Sequence, residues 1–378
     1  MVPEGWEATT LDKVFKLASG STKPTDVVAK LSDTTPNPVY GGNGVLGWSG
    51  QANHLGNVIL IGRVGEYCGV TRLVYNPCWI TDNALYTKDF FSGNDIEFVT
   101  YRLQYFDVSK LRSKGGQPLV SQKPIYGTRL ALPPLPEQRK IADILSTWDR
   151  AIEVSESLLA TARQQKRALM QTLLTGKRRF PEFEGQKWKE VRLGEVCETW
   201  SGGTPSRRKA EYYSGSIPWI KSGEVNAIRV EATEEHITEE ALKCSSAKLV
   251  EPETVLIAMY GATAGVVSVS GIHAAINQAI LAVKANAKLE SNFLLFAVQG
   301  KMEDTKRITQ GGQPNLNAQI IRAAKIPLPC LQEQRQIAKI LGASQREIEL
   351  GCQKIQKLRT EKRALMQQLL TGKRRVVV

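Results

Sequence analysis

Residues 166–179 read KRALMQTLLTGKRR and residues 362–375 read KRALMQQLLTGKRR, fourteen positions that differ only at Thr172 against Gln368. The offset of 196 holds upstream: Glu137-Gln138-Arg139 recurs as Glu333-Gln334-Arg335, and Gly115-Gly116-Gln117-Pro118 as Gly311-Gly312-Gln313-Pro314. A duplication of this fidelity decides the architecture before any motif is weighed. Two similar halves in one chain make a pseudo-two-fold object, which suits a target with two-fold character such as duplex DNA.

Length and charge narrow the classes. The 378 residues suffice for two or three domains, each with its own core. Lys and Arg outnumber Asp and Glu by 50 to 37, a net charge of +13 that favours a polyanionic partner. The six cysteines form no CxxC pair and have no histidine at ligand spacing, which argues against a disulfide framework or zinc site and fits a reducing cytosol. The first residues, MVPEGWEATTLDKVF, lack the basic and apolar regions of a signal peptide. Residues 254–283 carry no Asp, Glu, Lys or Arg, but glycines and polar residues interrupt them, so buried strands are expected rather than a membrane span.

Each half opens on a tryptophan, Trp6-Glu7 and Trp188-Lys189, at an offset of 182 rather than 196. Gain and loss before a fixed offset marks a variable domain followed by a constant one. The expected domains are 1–135 and 180–331 (variable), with 136–179 and 332–378 (constant). The variable parts show short β-like runs, Val58-Ile59-Leu60-Ile61 and Val255-Leu256-Ile257-Ala258, among Gly, Pro, Asn and Ser clusters.

In the constant parts apolar residues alternate spacings of four and three. Ile141, Leu145, Trp148, Ile152, Leu159, Ala162, Leu169 and Leu173 correspond, 196 residues on, to Ile337, Leu341, Ser344, Ile348, Ile355, Leu358, Leu365 and Leu369. This predicts two long helices joined along a coiled-coil seam. Pro136 and Glu137 open the first helix, the acid complementing the helix dipole, and Gly176 with Lys177-Arg178-Arg179 closes it. Residues 136–175 would run about 60 Å at 1.5 Å per residue. Ser155 and Gly351 soften the two seams at mid-length, either as tolerated imperfections or as points of close approach. The fold class expected is α+β, with two globular α/β domains separated by two long helices in an antiparallel coiled coil.

Catalytic motifs are weak. Gly42-Asn43-Gly44-Val45-Leu46-Gly47 satisfies GxGxxG, yet the following Trp48-Ser49-Gly50-Gln51 reads as loop where a dinucleotide site needs a helix start. Asn76-Pro77-Cys78-Trp79 approaches the NPPY element of adenine methyltransferases, but Cys78 replaces a proline and the second half has no counterpart. Three histidines, with no HExxH, nucleophile elbow or Walker A lysine, complete a chain that reads as non-catalytic.

The arrangement closely resembles the specificity (S) subunit of type I restriction-modification enzymes. The resemblance covers nearly the whole chain and rests on LPPLPEQRKIADIL at 132–145, IPLPCLQEQRQIAKIL at 326–341 and the two KRALMQ-LLTGKRR ends. VYGGNGVLGW at 39–48 and IPWIKSGEV at 217–225 are phrases typical of that family's target-recognition domains. It implies a DNA-binding, non-catalytic subunit with no cofactor of its own, whose domains each read half of a split, asymmetric site while the helices set the gap. It further implies two methyltransferase (M) subunits using S-adenosylmethionine, restriction (R) subunits using ATP and Mg, and a cytoplasmic, nucleoid-associated setting in a bacterial or archaeal cell. The rival reading is a free-standing sequence-specific DNA-binding regulator.

Base readout needs Arg, Lys, Asn or Gln on loops. The candidates are Asn43, Trp48, Arg63, Lys114 and Gln117 in the first domain, and Arg207, Arg208, Lys221, Tyr260, Arg307 and Gln313 in the second. The Gly-Gly-Gln-Pro repeat is either a reading loop or a turn shared by both domains, and Arg207-Arg208-Lys209 either phosphate contacts or a solvated run. Ile144, Leu158, Met170, Leu174, Ile340, Met366 and Leu370 widen the apolar stripe beyond a two-stranded seam. That surplus is expected to be the contact face for the M subunits that the resemblance implies, rather than extra burial against the chain's own domains.

Overall fold

A computed structural model of the chain describes residues 2–75, 77–113, 116–226, 228–308 and 316–377, the side chains of 305–308 apart. It divides into two compact units, Met1–Glu156 with Gln353–Val378, and Ser157–Cys352. Neither coincides with a sequence repeat. The long helices Leu135–Leu173 and Leu331–Leu369 both cross the division, so each unit holds the front of one helix and the back of the other.

In unit 1 the strands Phe15–Ser19, Ala84–Phe90, Val58–Gly62 and Thr71–Val74 lie side by side in that order. A second sheet orders Gly44–Ser49, Asn37–Gly41 and Trp79–Ile80, the last two parallel. Unit 2 repeats the plan. Cys197–Ser201, Ile280–Ala285, Val255–Ala258 and Val267–Ser270 form the first sheet, extended by Arg229–Val230. His236–Ile237, Ile217–Ile220, Ala274–Ile276 and Lys248–Val250 form the second, with Ile217–Ile220 and Ala274–Ile276 parallel. The runs Val58–Gly62 and Val255–Ala258 are buried along their whole length, which is why they read as continuous apolar strands. The uncharged stretch 254–283 becomes strands of the same buried kind, and among the described residues no helix is long and apolar enough to cross a membrane.

An antiparallel strand pair seats each domain on its helix: Glu7–Thr10 with Arg129–Leu132, and Lys189–Arg192 with Lys325–Leu328. Beneath it the cores close over the helices. In unit 1, Ile141, Ala142 and Leu145 of the first helix and Leu369 and Leu370 of the second pack with Phe98, Leu103 and Leu130. In unit 2, Ile337, Ala338 and Leu341 and, from the other helix, Met170, Leu173 and Leu174 pack with Phe293, Leu294 and Ile326. Each fully buried side chain of this size contributes about 1.5–3 kcal/mol.

Polar contacts explain the repeated words. Glu137 is 3% exposed and takes Arg375 Nε and Nη2, each at 2.7 Å. Glu333, 1% exposed, takes Arg179 Nε at 2.6 Å and Nη2 at 2.8 Å, and also the Trp188 indole N–H at 2.8 Å. Glu137 and Glu333 lie in the first turns of their helices, where an acid complements the dipole, and each in addition clasps the arginine that follows the other helix. The neighbouring glutamines fasten domain to helix. Gln138 Oε1 accepts from Asp95 N at 2.9 Å while its amide donates to Pro133 O at 2.9 Å. Gln334 Oε1 accepts from Glu290 N at 2.8 Å and its amide donates to Pro329 O at 2.9 Å.

Half-buried lysines pair the helices further in. Lys362 meets Asp149 at 2.5 Å and lies over the Tyr101 ring, and Lys166 meets Gln345 at 2.6 Å and lies over Phe296. In both units residue numbers rise on one helix as they fall on the other, so the pairing is antiparallel. Along the seam Ile141, Leu145, Leu173, Ile337, Leu341, Ile348, Ile355 and Leu369 are buried, and Trp148, Ile152, Leu159, Leu169, Leu358 and Leu365 are half-buried.

Two outcomes are expected. Glu333→Ala strands Arg179 and should lower stability by about 3 kcal/mol or more in denaturant unfolding, the scale for breaking a buried pair. Glu137→Ala should cost less, since Arg375 is 44% exposed against 17% for Arg179. At Gly351 an added Cβ would stand 3.3 Å from Leu159 Cδ1, the tip of a half-buried side chain able to yield. Gly351→Ala should therefore raise the melting temperature through a helix-propensity gain of up to about 1 kcal/mol. A fall would mean that Leu159 is held too tightly to move.

Candidate nucleic-acid interface

Glycine-dependent turns shape the exposed edge of each domain. In unit 1 the strand Val58–Gly62 leaves through residues 63–69, where Gly65 and Gly69 take φ of +82° and +87°. Unit 2 repeats the bend after Val255–Ala258, with Gly261 at +78° and Gly265 at +73°. Left-handed backbone of this kind favours glycine over any residue with a Cβ. The closing bonds match as well. Gly69 N donates to Gly62 O at 2.7 Å and Gly265 N to Ala258 O at 2.8 Å. Arg63 N donates to Asn83 O at 2.9 Å and Met259 N to Ala279 O at 2.8 Å. Thr81 N donates to Tyr40 O at 2.9 Å and Asn277 N to Ile220 O at 3.1 Å.

Three unit 1 candidates gather on this frame. Asn43 is exposed in the turn between Asn37–Gly41 and Gly44–Ser49. A Cβ at Gly42 would stand 2.9 Å from Asn83 O and 3.4 Å from Val64 O, so the turn rests directly on the residue 62–65 bend. On the other flank Gly65 N donates to Pro118 O and Val120 N to Arg63 O, both at 2.9 Å, which brings exposed Gln117 alongside. Arg63 is half-buried and donates from Nη1 to Ser19 Oγ at 3.2 Å. Trp48 lies at the far end of its strand, half-buried and paired through its backbone with Val28. Lys114 lies outside the described residues.

Unit 2 gathers Lys221 and Tyr260. The short turns Ser222–Glu224 and Gly261–Thr263 meet through Thr263 Oγ1, which donates to Ser222 O at 2.9 Å, and Tyr260 is exposed beside them. Lys221 Nζ reaches Glu235 at 2.9 Å and Glu234 at 3.3 Å. Arg207 shares Glu235, donating at 2.6 Å, and stacks 4.2 Å from the Tyr213 ring centroid. Between them Arg207 and Lys221 hold the Glu235 carboxyl below the usual carboxylate range. Both cations are thus tied to an internal carboxylate, whereas Arg208 is exposed next door. Arg307 lies on the helix Ser291–Ile308 with its side chain outside the described set, and Gln313 lies outside it altogether.

Basic residues that pattern alone passed over also act here. Arg72 donates from Nη2 to Asn43 O at 2.9 Å and from Nη1 to Gly42 O at 3.4 Å. Arg112 braces the bend by donating to Cys68 O at 3.0 Å and Glu66 O at 2.9 Å. The only sequence signal for Arg72 was a lone arginine in the apolar run VTRLV.

The surplus helix stripe divides. Met170, Leu174 and Leu370 are buried in the cores of their own units, and Met366 and Ile144 pack half-buried against that of unit 1. Those positions are taken up by the chain itself, so the expectation that the whole stripe faces another protein is corrected for them. Leu158 and Ile340 stay exposed.

Comparison with known proteins agrees with this architecture. The model of the type I restriction modification DNA specificity domain matches residues 3–163 and again 185–360, and the chain belongs to that family. It is a DNA specificity subunit of a type I restriction-modification system, a non-catalytic component. A putative type I restriction enzyme MjaX specificity subunit from Methanocaldococcus jannaschii is 26% identical over 347 residues, 86% of this chain and 78% of that one. The EcoR124I/EcoR124II specificity subunit of Escherichia coli is 31% identical over 166 residues, 42% of this chain and 41% of that one. The crystal structure of a type I S subunit from M. genitalium superposes with TM-score 0.71 at 18% identity, covering 98% of this chain and 99% of its own. A chain from a structure of type I assembly and conformational transition gives TM-score 0.56 at 18% identity over 98% of each chain.

The two adjacent arginines should separate by experiment. Arg207→Ala removes a stack and an ion pair and should lower the melting temperature. Arg208→Ala should leave it unchanged while reducing the slope of log affinity against log salt by about one, the signature of a lost phosphate contact. Equal effects on both measurements would contradict the assignment.

Proposed function

We propose that this chain reads a split, asymmetric duplex site, with residues 1–135 and 180–331 each reading one half and the helical segments 136–179 and 332–378 fixing the gap. One observation carries the reading: two edges with the same backbone frame present different chemistry. Gly41-Gly42-Asn43 stands where the second domain has Lys221-Ser222-Gly223, and Arg63-Val64 where it has Met259-Tyr260. Identical frames with unlike side chains suit two unlike half-sites. Asn43, Arg63, Gln117, Lys221 and Tyr260 are the proposed readers. Trp48, Arg208 and, beyond the described side chains, Lys114, Arg307 and Gln313 remain candidates around them, while Arg207 serves mainly to orient its loop.

The partners follow from the family. Two M subunits dock on the helices and methylate adenine with S-adenosylmethionine, and R subunits join with ATP and Mg, so those cofactors belong to the partners. Exposed apolar side chains on the helices favour protein docking: Leu158, Ile340 and Leu350 in unit 2 and Val154 in unit 1. The setting is the cytoplasm, at the nucleoid.

The helices act as a ruler in this reading. A 39-residue helix such as Leu135–Leu173 runs about 58 Å at 1.5 Å per residue. Inserting one helical turn into either long helix should lengthen the unspecified stretch of the preferred site, read by mapping adenine methylation in a host carrying the variant. An unchanged stretch would refute the ruler, and methylation independent of this chain would refute the function.

A further inference from the structure

The geometry points to Arg72 as a positioning residue for sequence reading: its guanidinium sets the turn that presents Asn43, although it is not itself on the reading edge. This rests on the reading that the unit 1 edge meets DNA. The turn needs such a brace. Residues 41–44 are Gly-Gly-Asn-Gly, so little side-chain packing restrains it, and glycine backbone carries the largest conformational entropy to be removed. Strand pairing of Gly41 with Gly44 holds its ends, and the close approach of Gly42 to Asn83 and Val64 limits it from below.

Arg72 supplies the missing restraint from behind. It sits half-buried on the edge strand Thr71–Val74, paired in register with buried Leu60 of the inner strand Val58–Gly62. From that fixed base its fork donates to the consecutive carbonyls of Asn43, at 2.9 Å, and Gly42, at 3.4 Å. A planar guanidinium spanning two acceptors fixes direction as well as distance, which a single ammonium cannot do. With both carbonyls drawn inward, the Asn43 side chain is left facing outward. Unit 2 meets the same need differently. Glu224 accepts from Lys221 N at 2.7 Å and Glu234 N at 2.8 Å, and Thr263 ties the Ser222 carbonyl. The fork is therefore a device of the first edge, and its effect should be confined to one half-site.

The test uses the full chain in complex with its methyltransferase subunits and selection of bound duplexes from a randomised pool. Arg72→Met, Arg72→Lys, Asn43→Ala and the Arg72→Met/Asn43→Ala double variant are compared. Arg72→Met should relax preference about tenfold at the position relaxed by Asn43→Ala, the scale of one lost base contact. The double variant should be no worse than either single change, Arg72→Lys should recover part of the preference, and melting temperature and salt slope should hold. Preference intact in Arg72→Met but relaxed in Asn43→Ala would overturn the inference. So would a lowered melting temperature with every position relaxed alike, the mark of a merely structural arginine. If Asn43→Ala changes no position, the edge itself is misassigned and the proposed reading falls instead.

Discussion

Everything in this molecule is organised around a carboxylate buried at the front of each long helix. Glu137 and Glu333 are almost fully withdrawn from water, and each survives there because a guanidinium from the end of the other helix reaches it. A buried carboxylate without its partner is a large penalty. The ends of the two helices are therefore obliged to meet the starts. The adjacent glutamines carry that constraint into the domains, since each bridges a loop carbonyl and the amide that begins a domain helix.

This explains why compact units and sequence repeats are out of phase. A repeat, read along the chain, ends in Lys-Arg-Arg, but the acid that receives the last arginine belongs to the other repeat. Unit 1 is completed by residues 353–378 and unit 2 by residues 157–179, and in both cases the completing segment contains the near-identical fourteen-residue phrase. The phrase is the same twice because it faces the same acceptor, the same tryptophan-led strand and the same apolar floor. The two clasps still differ in detail. The indole of Trp188 donates to Glu333, while the buried indole nitrogen of Trp6 has no hydrogen-bond partner among the described residues.

Much of the architecture was legible in the sequence, and the gaps have physical causes. Heptad spacing located both long helices to within about two residues, because a seam at every third and fourth position has no competing explanation. The repeated Glu-Gln-Arg was visible, but its purpose was not, since a salt bridge across 154 or 238 residues leaves no local trace. The widened stripe misled in part. Periodicity separates a helix's buried face from its wet one but cannot say whether the cover is another protein or the chain's own domain, as Met170 and Leu370 illustrate. In the recognition domains, alternating short strands and turns gave class without topology. Arg63 and Gln117 are brought together by backbone bonds from the bend, Gly65 N to Pro118 O and Val120 N to Arg63 O, a relation that side-chain identity does not encode.

The glycine bends have a further consequence for evolvability. Gly65, Gly69, Gly261 and Gly265 hold each edge through backbone geometry, and the closing bonds run between main-chain atoms. Side chains that ride on such a scaffold can be exchanged with little thermodynamic burden on the domain beneath. On the proposed reading, in which these edges meet DNA, novel target preferences are limited by how many variants are sampled, and scarcely by whether each variant folds.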